Sequence, residues 1–168
     1  LSVRKEVTSN YKSPLLFSAG AHFSPFSFYS LKLNFSRNFR MPTYNDLYWE
    51  LLGNPNLKSE SAYQGEISNV FTFKKWSFSG TFYHSKISDM IRWIPKGSGI
   101  FNPENTAKVT VIGFESGLQW ATNMGQHQFK CNATYGYSKS EDEATNKQLV
   151  YVPFHKMTAG LAYSFRSF

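Results

Sequence analysis

Apolar and polar residues alternate along most of this chain, and sustained alternation restricts it to two-faced β-strands. In Tyr29–Arg37, Tyr29, Leu31, Leu33 and Phe35 fall on one face, with Ser30, Lys32, Asn34 and Ser36 on the other. The pattern recurs with Tyr63, Gly65, Ile67, Phe71 and Phe73 set against Gln64, Glu66, Ser68 and Thr72. It returns in Trp76–Phe82, Ile112–Trp120, Phe129–Tyr137 and Met157–Phe165. Helical spacing competes nowhere, so the chain reads as all-β. With Leu1–Val7 and Leu15–Phe23 added, the expectation is an antiparallel up-and-down meander of about eight long strands.

The connections sort by length. Ser24–Ser27, Lys74–Lys75 and Asn123–Gln126 are short turns, whereas Arg37–Leu57, Ile87–Thr106 and Ser140–Pro153 read as long loops, with a shorter one at Ser9–Ser13. Short turns at one end and long loops at the other are the layout of a transmembrane β-barrel, with the long loops outside the cell. Composition agrees. Phe (16) outnumbers Leu (12), so rings carry the apolar face while Ser, Lys and Asn fill the other. Phe23, Phe26, Phe28, Phe73, Trp76, Trp120 and Phe129 stand beside the short turns, as an interfacial ring girdle requires. Tyr63, Phe82, Tyr135 and Tyr137 are the expected opposite girdle. A soluble carbohydrate-binding β-sandwich is the competing architecture, but it has no reason to segregate its loops by length.

Several classes drop out. The net charge of +7 first suggests nucleic acid, but the cations are scattered and the longest charge run is the acidic Glu141–Glu143, so no nucleic-acid partner is expected. The lone Cys131 cannot form an intramolecular disulfide. His22, His84, His127 and His155 lack metal-ligand spacing, so no metal and no cofactor are expected. No G-x-S-x-G elbow or other catalytic constellation occurs, and the chain reads as non-enzymatic, without catalytic residues.

Two motifs carry a family resemblance. Asn38-Phe-Arg-Met-Pro-Thr-Tyr-Asn-Asp-Leu-Tyr-Trp49 and Gly53-Asn-Pro-Asn-Leu-Lys-Ser-Glu60 together resemble a recurrent stretch of TonB-dependent outer-membrane receptors. The likeness extends through Ser88–Trp93, Asn102–Asn105, Gly113–Glu115 and Tyr151–His155, and is nearest the cobalamin- and siderophore-receptor-like branch. It implies part of a 22-stranded transmembrane barrel in the bacterial outer membrane. It also implies a small nutrient ligand, a plug domain and a TonB-type inner-membrane energy partner acting through that plug. No plug, coupling box or signal peptide is recognised in residues 1–168, and the final strands are expected to be missing. The chain is therefore read as a partial barrel domain from the later half.

Within the motif, Pro42 and Pro55 preset φ and end strand pairing, and Gly53-Asn54 supplies turn chemistry. Arg40 and Glu60 stand at the two feet of one loop, where a brace is expected. Thr43 and Asp46 complete the structural set. Ligand contacts belong on outward loops over a rigid scaffold. The candidates are Tyr44, Tyr48 and Trp49 in the first long loop, and Trp93, Lys96 and Phe101 in the second. The resulting expectation is a receptor binding a corrinoid or iron-siderophore nutrient for energy-coupled uptake. A passive porin-like outer-membrane channel is the alternative.

Overall fold

The computed structural model describes residues 1–7, 13–97, 99–150 and 152–165. They form one antiparallel sheet whose strands follow each other in chain order. The strands are β1 (Ser2–Lys5), β2 (Leu15–Phe26), β3 (Tyr29–Arg40), β4 (Glu60–Phe73), β5 (Trp76–Pro95), β6 (Phe101–Met124), β7 (His127–Asp142), β8 (Lys147–Gln148) and β9 (His155–Phe165). β9 pairs with β7 below the two-residue β8, which continues the β7 ladder at its upper end.

Three features depart from the sequence reading. Ile87–Thr106 is no long loop: β5 and β6 keep one register from Trp76↔Trp120 to Pro95↔Phe101, leaving a short connection at the tip. Alternation fades there, because both faces of the projecting hairpin carry polar residues, yet the backbone ladder continues. The chain also holds one helical turn, α1 (Tyr44–Tyr48), inside the first long loop. β8 adds a short strand within the third loop. The connection at Ser9–Ser13 falls mostly outside the described residues, as does Tyr151.

The two-residue turns lie at residues 27–28, 74–75 and 125–126, all at one end of the sheet, where Gly125 adopts φ +61. Loops 41–59, 96–100 and 143–154 lie at the other end. Ring contacts cross the strands near the turn end: Phe26 to Phe28 at 5.3 Å, Phe28 to Phe73 at 5.2 Å, and Trp76 to Trp120 at 6.1 Å. Tyr63 sits ten positions above Phe73 on β4, and Tyr137 sits ten above His127 on β7. A tilted membrane-crossing strand needs about 9–11 residues. On β5 the same spacing from Trp76 reaches Lys86, while Phe82 shares a cross-strand row with Phe114 and Tyr137.

Between these levels the apolar face is open. Leu33, Phe35, Ile67, Phe78, Phe82, Phe114 and Leu118 are each 40–50% exposed, while the buried apolar side chains cluster at the loop end as Leu47, Leu57 and Ile91. An apolar face that no core covers matches a surface meant for lipid. Asn69, a polar residue on that face, accepts the Tyr29 hydroxyl at 2.7 Å and so enters the band satisfied. The opposite face carries cross-strand rows such as Lys32, Ser68, Thr81 and Glu115. Here Gly113 leaves the space in which the Tyr83 ring lies; a Cβ would come within 2.3 Å of the Tyr83 hydroxyl.

Candidate functional site

Loop 41–59 is folded down on the β5–β6 hairpin by the residues of the two-part motif. Buried Pro42 leads into α1, whose N-cap Thr43 has extended backbone. The Thr43 Oγ1 accepts the Asp46 N–H at 3.2 Å, and the Asp46 Oδ2 accepts the Thr43 N–H at 2.9 Å, a reciprocal capping box. The spacing Thr43-x-x-Asp46 is the sequence signal for this helix, outweighed by the β pattern around it. Asp46 Oδ1 also accepts the indole N–H of Trp93 at 3.0 Å, joining α1 to β5.

Arg40 completes this group. Its Nη2 lies 4.0 Å from Asp46 Oδ2 and its Nε 3.8 Å from Glu60 Oε2, so it stands between the two carboxylates. Glu60 in turn accepts the Ile91 N–H at 3.1 Å. Beyond α1 the chain reverses tightly. Gly53 N–H donates to Trp49 O at 2.8 Å, and Asn54 N–H donates to Asp46 O at 2.8 Å. Asn54 Nδ2 reaches across to Pro103 O at 3.2 Å, while exposed Pro55 turns the chain toward Leu57.

Side chains outside the expected set contribute as much. Asn102 donates to Leu52 O, and Asn105 donates to Lys58 O and Asp89 O while accepting from Lys58 N–H. These two asparagines bracket the Asn-Pro-Glu-Asn stretch, a signal visible in sequence without the partners that explain it. Arg92 donates to Thr106 Oγ1 at 2.7 Å and to Asp142 Oδ2 at 3.2 Å, which ties the hairpin to β7. Consecutive residues Ile91, Arg92 and Trp93 therefore hold three different partners: Glu60, Asp142 and Asp46.

Above this polar latch stand the ring candidates. Tyr44 and Tyr48, at the two ends of α1, have ring centroids 5.2 Å apart, and Trp49 meets Trp93 edge-on at 6.1 Å. Tyr44 is 76% exposed and Trp49 52%, so both present ring area outward. The structure thus brings Tyr44, Tyr48, Trp49 and Trp93 onto one loop cluster. Lys96 and Phe101 lie apart at the hairpin tip, where Lys96 pairs with Glu104 and Phe101 with Pro95 across the ladder. Rigid rings over a hydrogen-bonded base offer a pre-organised apolar surface. Among the described residues no group of three or more His, Cys, Asp or Glu is placed to hold a metal.

Burial works against ionisation of Asp46, but hydrogen bonds from Thr43 and Trp93, with the Arg40 charge, outweigh it and hold the carboxyl below the ordinary value of 3.8. A lowered folded-state value means that the carboxylate stabilises the latch above the ordinary value, and that this contribution fades as pH falls through the lowered one. The emission difference between wild type and Trp93→Phe is accordingly expected to stay flat from pH 8 to 5 and to change only below 3.8. A transition near pH 6 would remove Asp46 as its origin.

A family model described as TonB dependent receptor-like, beta-barrel, matches residues 2–168. A vitamin B12 transporter BtuB of Photobacterium profundum is 33% identical over 153 residues, covering 89% of this chain and 25% of the relative. One from Vibrio vulnificus is 28% identical over 84% of this chain and 23% of its own length. Among solved structures, the copper transporter OprC superposes with TM-score 0.72 at 16% identity, over 91% of this chain and 25% of that one. The siderophore receptor PirA of Acinetobacter baumannii gives TM-score 0.67 at 19% identity, over 90% and 26%. The structural likenesses bear on fold alone. The chain spans about a quarter of the length of the curated relatives it matches.

Proposed function

The chain belongs to the TonB-dependent receptor-like β-barrel family, and from that premise we propose that it is part of the barrel of an outer-membrane receptor for a corrinoid or iron-siderophore nutrient. The remainder of the barrel and a plug would lie elsewhere in the full-length gene product. A TonB-type inner-membrane protein would drive uptake through that plug. The observation that carries the reading is the two-faced meander itself: an uncovered apolar face bounded by rings ten residues apart, a polar face toward the lumen, and loops latched together at one end. A sheet with those faces is a barrel wall, and its latched loops are where ligand capture is supported.

The corrinoid arm is favoured by the relatives named as vitamin B12 transporters, which align over most of this chain. Tyr44, Tyr48 and Trp49 are the proposed contacts, since their rings face outward while Trp93 has its indole N–H committed to Asp46. Lys96 and Phe101 would contact only a ligand broad enough to reach the hairpin tip.

Uptake of labelled cobalamin and of a ferric siderophore by cells producing the full-length gene product tests this. Accumulation of one of them is expected to collapse on adding a protonophore while surface binding persists. Accumulation that continues without the proton-motive force would instead support a passive channel and refute energy coupling.

A further inference from the structure

The reversal that follows α1 holds a leucine where glycine or asparagine is the usual occupant. Leu52 N–H donates to Trp49 O at 3.1 Å and Gly53 N–H donates to the same oxygen at 2.8 Å, so residues 49–53 form one tight turn. Leu51 stands inside it at φ +64. A leucine in the left-handed region carries backbone strain, which glycine escapes and asparagine offsets by local hydrogen bonding. Gly53 lies outside that region, and its missing Cβ serves the close approach to Leu47 O and Trp49 N instead.

The strain brings Leu51 no packing within the chain. Its side chain is 96% exposed, more than any other large apolar residue among the described residues except the terminal Leu1. It is not an isolated surface leucine. Trp49 is exposed in the same turn, and Tyr44 and Tyr48 carry the apolar surface back along α1. A strained backbone that aims an uncovered apolar side chain outward, beside three exposed rings, is accounted for by a contact from outside the chain.

Charge narrows what that contact is. Between Arg40 and Lys58 the sequence has no Lys, Arg or His, and its acids are Asp46 and Glu50. Asp46 is buried beside Arg40, whereas Glu50 is exposed next to Leu51 and pairs with no cation among the described residues. A ferric tris-catecholate is a polyanion, whereas an uncharged corrinoid carries methyl groups around its macrocycle. An apolar tip with one free carboxylate favours the second surface and repels the first.

We propose that Leu51 is a ligand-contacting, specificity-determining residue, held outward by the strained turn to pack on the methyl-lined edge of an uncharged corrinoid, while Glu50 disfavours polyanionic ferric chelates. The inference rests on the nutrient-receptor reading above and deepens it, but does not depend on how uptake is driven. The turn sets the direction of the leucine before ligand arrives, so less ordering accompanies binding.

The test uses the full-length gene product in non-ionic detergent, with cyanocobalamin and ferric enterobactin as probes. It reads the dissociation constant of each probe and the hydrogen-exchange protection of the Leu52 and Gly53 amides. Wild type is expected to bind cyanocobalamin more tightly than ferric enterobactin. Leu51→Gly and Leu51→Asn both suit the left-handed region, so protection of the two amides should hold or rise. Both variants are nonetheless expected to weaken cyanocobalamin binding about tenfold, as loss of one buried leucine contact implies. A leucine that only shaped the loop would behave in the opposite way, since relieving its strain would leave binding intact. Glu50→Gln is expected to narrow the preference for cyanocobalamin over ferric enterobactin. Undiminished binding in both Leu51 variants would overturn the proposed contact, as would weakened binding that came with lost protection. A wild type that preferred ferric enterobactin would overturn the corrinoid assignment and leave the receptor reading standing. Binding of neither probe would overturn that reading and this inference together.

Discussion

Gly53→Ala is expected to release loop 41–59 from the hairpin, raising hydrogen exchange at the Leu47, Gly53 and Asn54 amides by roughly tenfold or more. A Cβ at this position would lie 2.6 Å from both Leu47 O and Trp49 N, which are backbone atoms that cannot rotate aside. The chain after α1 must therefore move outward. Doing so pulls on the bonds from Asn54 N–H to Asp46 O, from Asn54 Nδ2 to Pro103 O and from Asn102 Nδ2 to Leu52 O. Overpacking of this kind costs about 1–3 kcal/mol, and 1.4 kcal/mol is a factor of ten in a local opening equilibrium. Gly65→Ala is the matched control, because its Cβ meets only an ordinary contact. Unchanged exchange in Gly53→Ala would show that the loop does not depend on this close approach.

The second large effect is expected at Arg92. Arg92→Met removes the bonds to Thr106 and Asp142 and leaves Asp142, a buried carboxylate, without its cation. Breaking a fully buried pair costs about 3–5 kcal/mol. The Arg92 and Asp142 side chains keep 23% and 12% of their exposure, so solvent screening reduces the expectation to about 2 kcal/mol. The loss should appear as faster exchange across residues 142–149, since Asp142 also accepts the Ala144 N–H through its side chain and the Asn146 N–H through its carbonyl. Asp142→Leu added to Arg92→Met should recover part of the loss, because the double variant leaves no unpaired charge. Strictly additive single effects would mean that the two groups do not act as a pair.

The latch changes what the ring cluster is. Tyr44, Tyr48 and Trp49 sit on one helical turn, and that turn is held to β5 through Asp46 and to β6 through Asn54. A ligand meeting these rings would meet a surface whose ordering cost is met before binding, as in other pre-organised sites. Asp46 and Gly53 thus govern ring placement without being part of the exposed ring surface themselves.

How much of this the sequence showed varies by element. The strands were legible because a strand side chain alternates with a fixed period of two, so each stretch declares its own faces. The short turns were legible for a related reason: a two-residue connection leaves the flanking alternation in phase. The upper hairpin was not. Past Ser88 both faces of β5 stand clear of the apolar band, so the contrast that marks a strand disappears while the backbone ladder goes on to Pro95. α1 was hidden differently. A single turn is too short to show helical periodicity, and only its Thr43-x-x-Asp46 cap is local enough to read.

The alternating rings and serines determine by themselves that this chain builds a two-faced wall with short turns at one end, because side-chain direction along a strand is a local property of the backbone. Which loop residues meet is not local. Trp93 finds Asp46 across 47 positions, Arg92 finds Asp142 across 50, and Ile91 finds Glu60 across 31. Pairings at that range depend on strand register and on the reach of β5 above the band, and only the folded sheet decides those.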